Sequence, residues 1–217
     1  MKKAVIFDLD GTLLNTLPTI TFYVNETLKA FSVGRLSEED VCRYIGHGAQ
    51  WLIQQSLLHF GIQDEALFKK VLQQYKSAYD SAPLYLTEAY EGIYDLLNGL
   101  KQKGVKVAVL SNKPDFATKA VVGHFFGDTF DFAEGAKATV PLKPAPDGVY
   151  ALLSKLGVSA KECLFVGDTI VDMDTGKNAE METVGVLWGF RDREELERGQ
   201  ASYIVSTPNE ILATLEQ

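Results

Sequence analysis

The strongest constraint on this chain is an alternation. Short, solidly apolar runs are separated by stretches whose apolar residues repeat at helical spacing. Four runs, Ala4–Asp8, Val105–Leu110, Cys163–Gly167 and Val184–Leu187, are rich in Val, Ile, Leu or Phe. They read as buried parallel strands, because a strand covered on both faces loses the polar alternation of a half-exposed one. Between them, Ile93, Leu96, Leu97 and Leu100 repeat at i, i+3, i+4 and i+7, followed by Gly104 as a stop. Val149, Leu152, Leu153 and Leu156 do the same before Gly157, and Thr207-Pro208-Asn209-Glu210 has the form of a capping box. Strands alternating with helices predict an α/β fold, a doubly wound Rossmann-like parallel sheet with helices on both faces.

One interval breaks the alternation. From Asp8 to Val105 is 97 residues, whereas a βαβ unit needs only about 30. The excess is amphipathic: Leu17–Ala30, Ser37–Ile45, Gly48–Phe60 and Ala66–Ala82 carry helical spacing, with Ser37 as N-cap ahead of Glu38-Glu39-Asp40. The expected organisation is a core domain of residues 1–14 and 85–217, interrupted by a helical cap domain over 15–84.

Composition narrows the function. Lys and Arg total 21 against 29 Asp and Glu, a formal charge of −8 over 217 residues. A nucleic-acid binder needs a basic footprint, which this balance does not offer. No apolar run approaches the roughly 20 residues that span a bilayer. Asp8 and Asp10 interrupt the apolar start, which argues against a signal peptide. Cys42 and Cys163 are too few and too far apart for a disulfide framework and fit a reducing cytoplasm. The histidines His59 and His124 and the tryptophans Trp51 and Trp188 read as structural residues.

The chemistry gathers at strand ends. Phe7-Asp8-Leu9-Asp10-Gly11-Thr12 closes the first strand, and residues two apart share a face, so Asp8 and Asp10 can approach one ligand. Gly11 permits an abrupt turn and a close backbone approach. Two adjacent carboxylates repel, a conflict that a divalent cation or a standing acid role resolves. Ser111-Asn112-Lys113 closes the second strand with a hydroxyl and an amide able to donate to an anion. Pro141-Leu142-Lys143-Pro144-Ala145-Pro146 presents Lys143 from a stiff loop. Gly167-Asp168-Thr169-Ile170-Val171-Asp172 puts one acid at a strand end and another a turn into the next helix. An all-carboxylate set suits magnesium, and no Cys/His cluster points to zinc.

These four motifs, in this order and with a helical insertion between the first and second, resemble the haloacid dehalogenase-like hydrolase superfamily in its phosphatase branch. The resemblance implies that Asp8 is the nucleophile, forming an aspartyl-phosphate, and that Asp10 is the general acid and base. It implies that Ser111 and Lys143 bind the transferring phosphoryl group, with Asn112 assisting. Magnesium would be held by Asp8, the Asp10 backbone carbonyl and Asp168, with Asp172 as a supporting acid. In the cap, Tyr44-Ile45-Gly46-His47-Gly48-Ala49 is similar to the substrate-facing loop of bacterial phosphoglycolate phosphatases and their pyrophosphatase relatives, as is the segment Gly189–Leu196 to one of theirs. Gly46, His47 and Gly48 are therefore candidate substrate residues. Arg43, four positions before His47, joins them if its helix continues.

The expected function is a magnesium-dependent phosphatase for a small phosphorylated metabolite of the phosphoglycolate kind, cytoplasmic, monomeric or homodimeric, without nucleic-acid or membrane partners. The alternatives are a pyrophosphatase, a sugar-phosphate phosphatase or phosphomutase of the same fold, and a non-enzymatic phospho-acceptor signalling domain. Such a domain needs no cap, so the insertion weighs against it.

Overall fold

The computed structural model describes residues 1–216. It separates into two compact units, Met1–Asn15 with the chain from Ala89 onward, and Thr16–Glu88. The second unit runs four residues past the Leu84 limit read from sequence. The reason is local: the Thr19 hydroxyl bonds the Tyr85 carbonyl and lies 2.8 Å from the Thr87 hydroxyl, which ties the returning chain to the insertion's own first helix.

In chain order the elements are β1 (Ala4–Phe7), β2 (Leu14–Asn15), α1 (Leu17–Ala30), α2 (Glu38–Tyr44), α3 (Ala49–His59), α4 (Glu65–Ser81), β3 (Glu88–Ala89) and α5 (Ile93–Gln102). There follow β4 (Lys106–Pro114), α6 (Asp115–Phe126), β5 (Phe132–Ala136), α7 (Asp147–Leu156), β6 (Cys163–Gly167), α8 (Ile170–Asn178), β7 (Glu182–Val186), α9 (Arg193–Arg198), β8 (Tyr203–Val205) and α10 (Ile211–Thr214). The core sheet has the order β5-β4-β1-β6-β7-β8, and every adjacent pair is parallel. This is the doubly wound α/β architecture expected from the alternation. The four expected strands are its inner members, β4, β1, β6 and β7, while β5 and β8 at the two edges escaped the sequence reading.

Packing follows the period-two rule of strands. Ala4 and Ile6 point to one face and join Ala108, Leu110 and Phe165 under Val149, Leu152, Leu153 and Leu156 of α7. Phe7 points to the other, where its ring meets Phe130 edge-on at 6.3 Å, and Phe130 meets Phe126 of α6 at 5.4 Å. The expected stripe Ile93, Leu96, Leu97 and Leu100 of α5 is wholly buried. Both faces of the sheet are thus covered, which is why its strands carry so little polarity.

The second unit is four helices whose apolar stripes are buried: Ile20, Tyr23, Val24 and Leu28 of α1, Val41 of α2, Leu52, Ile53 and Leu57 of α3, and Val71, Tyr75 and Tyr79 of α4. Ser37 caps α2 in a reciprocal box with Asp40. The Asp64 carboxylate caps α4 through the amides of Ala66 and Leu67. Trp51 departs from the core role expected of it, being 42% exposed on α3. No helix among the described residues is long and apolar enough to cross a membrane.

Leu152 is fully buried between α7 and the sheet. Leu152→Ala should destabilise the core by about 2–5 kcal/mol, read as a lower urea midpoint at unchanged slope. A loss below about 1 kcal/mol would mean that α7 does not seal this face.

Candidate active site

Strand order gathers the site. β1 lies between β4 and β6, so the residues leaving these three strands emerge side by side at the sheet's carboxyl edge, where open α/β sheets hold their ligands. Asp8 follows β1, its amide donating to Val166 O at 2.8 Å. The chain then turns at Gly11, whose φ of +90° is left-handed. A Cβ there would sit 2.3 Å from Asp168 Oδ2, so the glycine is needed for both conformation and space. Asp168 follows β6 and is wholly buried; Oδ1 accepts from Thr12 Oγ1 at 3.0 Å and Oδ2 from the Phe190 amide at 2.8 Å.

Asp172 stands in the first turn of α8 and has two tasks. Its Oδ2 accepts from the amide and hydroxyl of Thr169 at 3.0 and 2.7 Å, closing a capping box, while Oδ1 lies 2.7 Å from Lys143 Nζ. The N-cap is therefore Thr169 and not Asp168, which leaves Asp168 free of a capping duty. Gly167 is what admits Asp172, because a Cβ at 167 would lie 2.2 Å from Asp172 Cβ.

Lys143 comes from the loop between β5 and α7. Its side chain is 4% exposed, and Nζ lies 2.7 Å from both Asp8 Oδ1 and Asp172 Oδ1. The backbone beneath it is clamped by Asn112, whose Nδ2 donates to Lys143 O at 3.1 Å and whose Oδ1 accepts from Lys143 N at 2.9 Å. Ser111 and Asn112 line one small cleft with Lys143. The Ser111 hydroxyl accepts from the Lys113 amide at 3.2 Å.

The electrostatics follow from burial. Asp8, Asp168 and Asp172 can each point one oxygen into a common group within 4.8 Å, and such a group can hold a metal ion. Burial pushes the Asp8 carboxyl up to about 7; Lys143 opposes the rise and Asp172 adds to it. Asp168 is raised well above the carboxylate range by burial, then by Asp172 and Asp8. Burial would lower Lys143, but Asp172 and Asp8 outweigh it and hold the ammonium above its ordinary value. Three carboxylates facing one ammonium leave an excess of negative charge, the condition that a divalent cation relieves.

The structure thus brings together Asp8, Ser111, Asn112, Lys143, Asp168 and Asp172 at one edge. The placements of Asn112 and Asp10 become explicit, and one sequence expectation, for Arg43, changes. Asn112, expected to assist in phosphate binding, also clamps the Lys143 backbone through both polar atoms of its amide. The Asp10 carboxylate lies outside the three-acid group, because it pairs with Lys113 Nζ at 2.7 and 3.0 Å. Arg43 does not share a helical face with His47: α2 ends at Tyr44, Ile45 is extended, and Gly46 has φ +116°. Arg43 pairs instead with Glu39 and with Asp40 at 3.4 Å. Within the same unit, His47 lies between Gly46 and Gly48 and sits against Trp51, ring centroids 5.3 Å apart.

Several functional neighbours were missed. Thr12, Thr169 and the Phe190 amide support the acids, and Trp188 Nε1 anchors Thr12 O at 2.9 Å. Glu195 pairs with Arg191 at 3.2 Å and accepts from the Ile170 amide at the start of α8. Of these only Thr12 and Thr169 carried a signal, as hydroxyls flanking motif acids.

The sequence pattern of the haloacid dehalogenase-like hydrolases matches residues 5–186, and the chain belongs to that family. Two similar proteins are the phosphoglycolate phosphatases of Rhodospirillum rubrum, 34% identical over 88% of this chain and 81% of that protein, and of Colwellia psychrerythraea, 28% identical over 100% of this chain and 98% of that protein. A crystal structure from Lactobacillus delbrueckii subsp. bulgaricus, 33% identical, superposes with a TM-score of 0.90 over 99% of each chain. A haloacid dehalogenase-like family protein from Streptococcus pneumoniae shares the fold at 21% identity, with a TM-score of 0.87 over 98% of each chain. Within its family, this chain is a phosphoric monoester hydrolase.

The raised carboxyls fix a pH dependence. Between the ordinary carboxylate range and about 7, the cation-free folded protein holds a proton on Asp8 that the unfolded chain has shed. Its stability therefore falls as pH rises through that window. A divalent cation favours the ionised acids, so it should raise Tm by several degrees near pH 8 and by much less near pH 5.5. Thermal melts at both pH values, with and without magnesium, check this. Equal shifts would show that the buried acids do not hold the ion.

Proposed function

We propose that the enzyme is a magnesium-dependent phosphatase that hydrolyses a small phosphorylated metabolite of the phosphoglycolate kind through an aspartyl-phosphate. The observation that carries this reading is the set of buried carboxylates Asp8, Asp168 and Asp172 around Lys143 at the sheet's carboxyl edge. The substrate class rests on the name borne by the relatives from Rhodospirillum rubrum and Colwellia psychrerythraea.

The donor set fits magnesium: it is all oxygen, buried and negative in excess, with no nitrogen or sulfur that would select a softer metal. Asp8, Asp168 and Asp172 would hold it, with the Asp10 backbone carbonyl that the family resemblance implies. When bound, magnesium supplies the positive charge that lets an anionic carboxylate meet an anionic phosphate.

The chain's own groups divide the remaining work. The Asp8 carboxylate attacks phosphorus, forming an acyl-phosphate as the bond to the leaving oxygen breaks. Asp10 donates a proton to that oxygen, then takes one from the water that hydrolyses the intermediate. The Lys143 ammonium and the Ser111 hydroxyl hold equatorial oxygens, which carry the charge in a phosphoryl-transfer transition state. Lys143 already touches Asp8, so the phosphate meets it beside the attacking oxygen. Choice among small phosphates we assign to the insertion, with His47 foremost.

Asp8→Asn should lower kcat by about a thousandfold or more with the fold retained, and should leave no acid-stable label after incubation with a labelled phosphate ester. Near-normal turnover would remove Asp8 from the mechanism. A phosphate-release screen with magnesium over phosphoglycolate, pyrophosphate and sugar phosphates tests the substrate class; higher kcat/KM for another class overturns it. His47→Ala should lower kcat/KM for phosphoglycolate relative to a phosphate with an uncharged tail. An unchanged ratio would exclude His47 from selection.

A further inference from the structure

Lys113 is a buried lysine at the site's edge, beside the acid pair that closes β1. It extends from β4 towards the chain leaving β1, and its Nζ lies 2.7 Å from Oδ1 and 3.0 Å from Oδ2 of Asp10. The Lys113 side chain is 4% exposed and that of Asp10 14%. One ammonium therefore meets both oxygens of one carboxylate and fixes its rotation as well as its position. A buried ion pair of this kind adds little stability compared with a hydrophobic pair of similar volume, so its presence at this place calls for another reason.

The charge pattern supplies one. Lys143 serves Asp8 and Asp172 at 2.7 Å each. A fourth carboxylate two residues beyond Asp8 would compete for that ammonium if it had no cation of its own. Lys113 keeps Asp10 apart from the three-acid group. Its own placement is fixed from behind, since the Lys113 amide donates to Ser111 Oγ and its carbonyl accepts from Thr118 Oγ1 at 3.2 Å each.

We propose that Lys113 is a positioning residue for catalysis: it orients the Asp10 carboxylate for proton transfer and keeps Lys143 committed to Asp8 and the phosphate. This rests on the acid/base role proposed above for Asp10. The role is distinct from phosphate binding, and the distinction can be measured. Loss of an oriented acid slows acyl-phosphate formation from substrates whose leaving group needs a proton and spares that step for those whose leaving group does not. Loss of a phosphate ligand weakens every substrate and the phosphate product alike.

The test compares wild type, Lys113→Met, Lys113→Arg, Asp10→Asn and the Lys113→Met/Asp10→Asn double variant, each first checked for folding by its thermal melt. Each is assayed with magnesium on an alkyl phosphate and on p-nitrophenyl phosphate, and for inhibition by inorganic phosphate. Lys113→Met should lose about 10- to 100-fold in kcat/KM, which reports formation of the acyl-phosphate, on the alkyl ester, and no more than a few-fold in kcat/KM on the aryl ester. Its inhibition by phosphate should stay within about twofold, Lys113→Arg should recover part of the loss, and the double variant should be no worse than Asp10→Asn. Equal losses on the two esters, or losses that multiply in the double variant, overturn the proposal, as does phosphate inhibition weakened about tenfold or more. If Lys113→Met does not fold, the same ester comparison on Lys113→Arg decides, since its longer fork cannot reproduce the native geometry. Should Asp10→Asn itself lose equally on both esters, the acid/base reading of Asp10 falls, a result separate from any outcome at Lys113.

Discussion

The contact on which the site depends is the Lys143 ammonium set between Asp8 and Asp172. Without it, buried carboxylates from β1, β6 and α8 would face one another in a poorly solvated pocket, and burial already holds Asp8 and Asp168 above the ordinary carboxylate range. The lysine can do this only if its backbone is fixed, because its loop lies outside the sheet. Asn112 provides that by bonding both the N–H and the C=O of Lys143. β4 thus acts through three consecutive residues. Ser111 faces the cleft, Asn112 secures the lysine that neutralises the acids, and Lys113 pairs with Asp10. A shift of β4 against β1 would disturb all three, and the parallel register Phe7 opposite Val109 prevents it.

The acids are oriented by groups that look ordinary in the sequence. Thr12 and the Phe190 amide each take one oxygen of Asp168, and Thr169 takes one oxygen of Asp172. Each oxygen of Asp168 keeps a second lone pair for a cation or a water, while Asp172 gives Oδ2 to Thr169 and turns Oδ1 into the cluster. Hydrogen bonds of this kind restrict rotation without consuming the ligand, which is the property a preformed site requires. They also explain why two glycines are sterically fixed: Gly11 passes against Asp168 and Gly167 against Asp172, with no room for a Cβ at either.

How far the sequence could be read depended on where each residue's partner lies. Ile6 and Phe165 sit in runs apolar enough to announce buried strands, and β1 and β6 pair in parallel with these two residues opposite each other. β5, Phe132-Ala-Glu-Gly-Ala136, lacks β-branched residues and is half-buried at an edge, and β8 has only three residues; neither rises above its surroundings. Motif acids were legible because strand ends in a parallel sheet converge whatever the intervening chain does. The partners of Asn112 and Lys113 were not, since they lie 31 and 103 residues away in sequence. The Arg43–His47 relation failed for a local reason: helical spacing was extended through Ile45-Gly46, where extended and left-handed backbone ends the helix.

Charge bookkeeping at this edge connects the acidic chain to an anionic substrate. Asp10 and Lys113 cancel one another, while three carboxylates against the Lys143 ammonium leave two negative charges if all three are ionised. An anionic phosphate would be repelled from that arrangement. On the proposed reading a divalent cation brings the cluster to neutrality, so cation and phosphate must each raise the affinity for the other, as linkage requires. The chain's overall charge of −8 then has little bearing on recognition. Charges beyond about 10 Å are screened at physiological salt, whereas the buried cluster is not. On that reading phosphate affinity is decided within the buried cluster around Lys143.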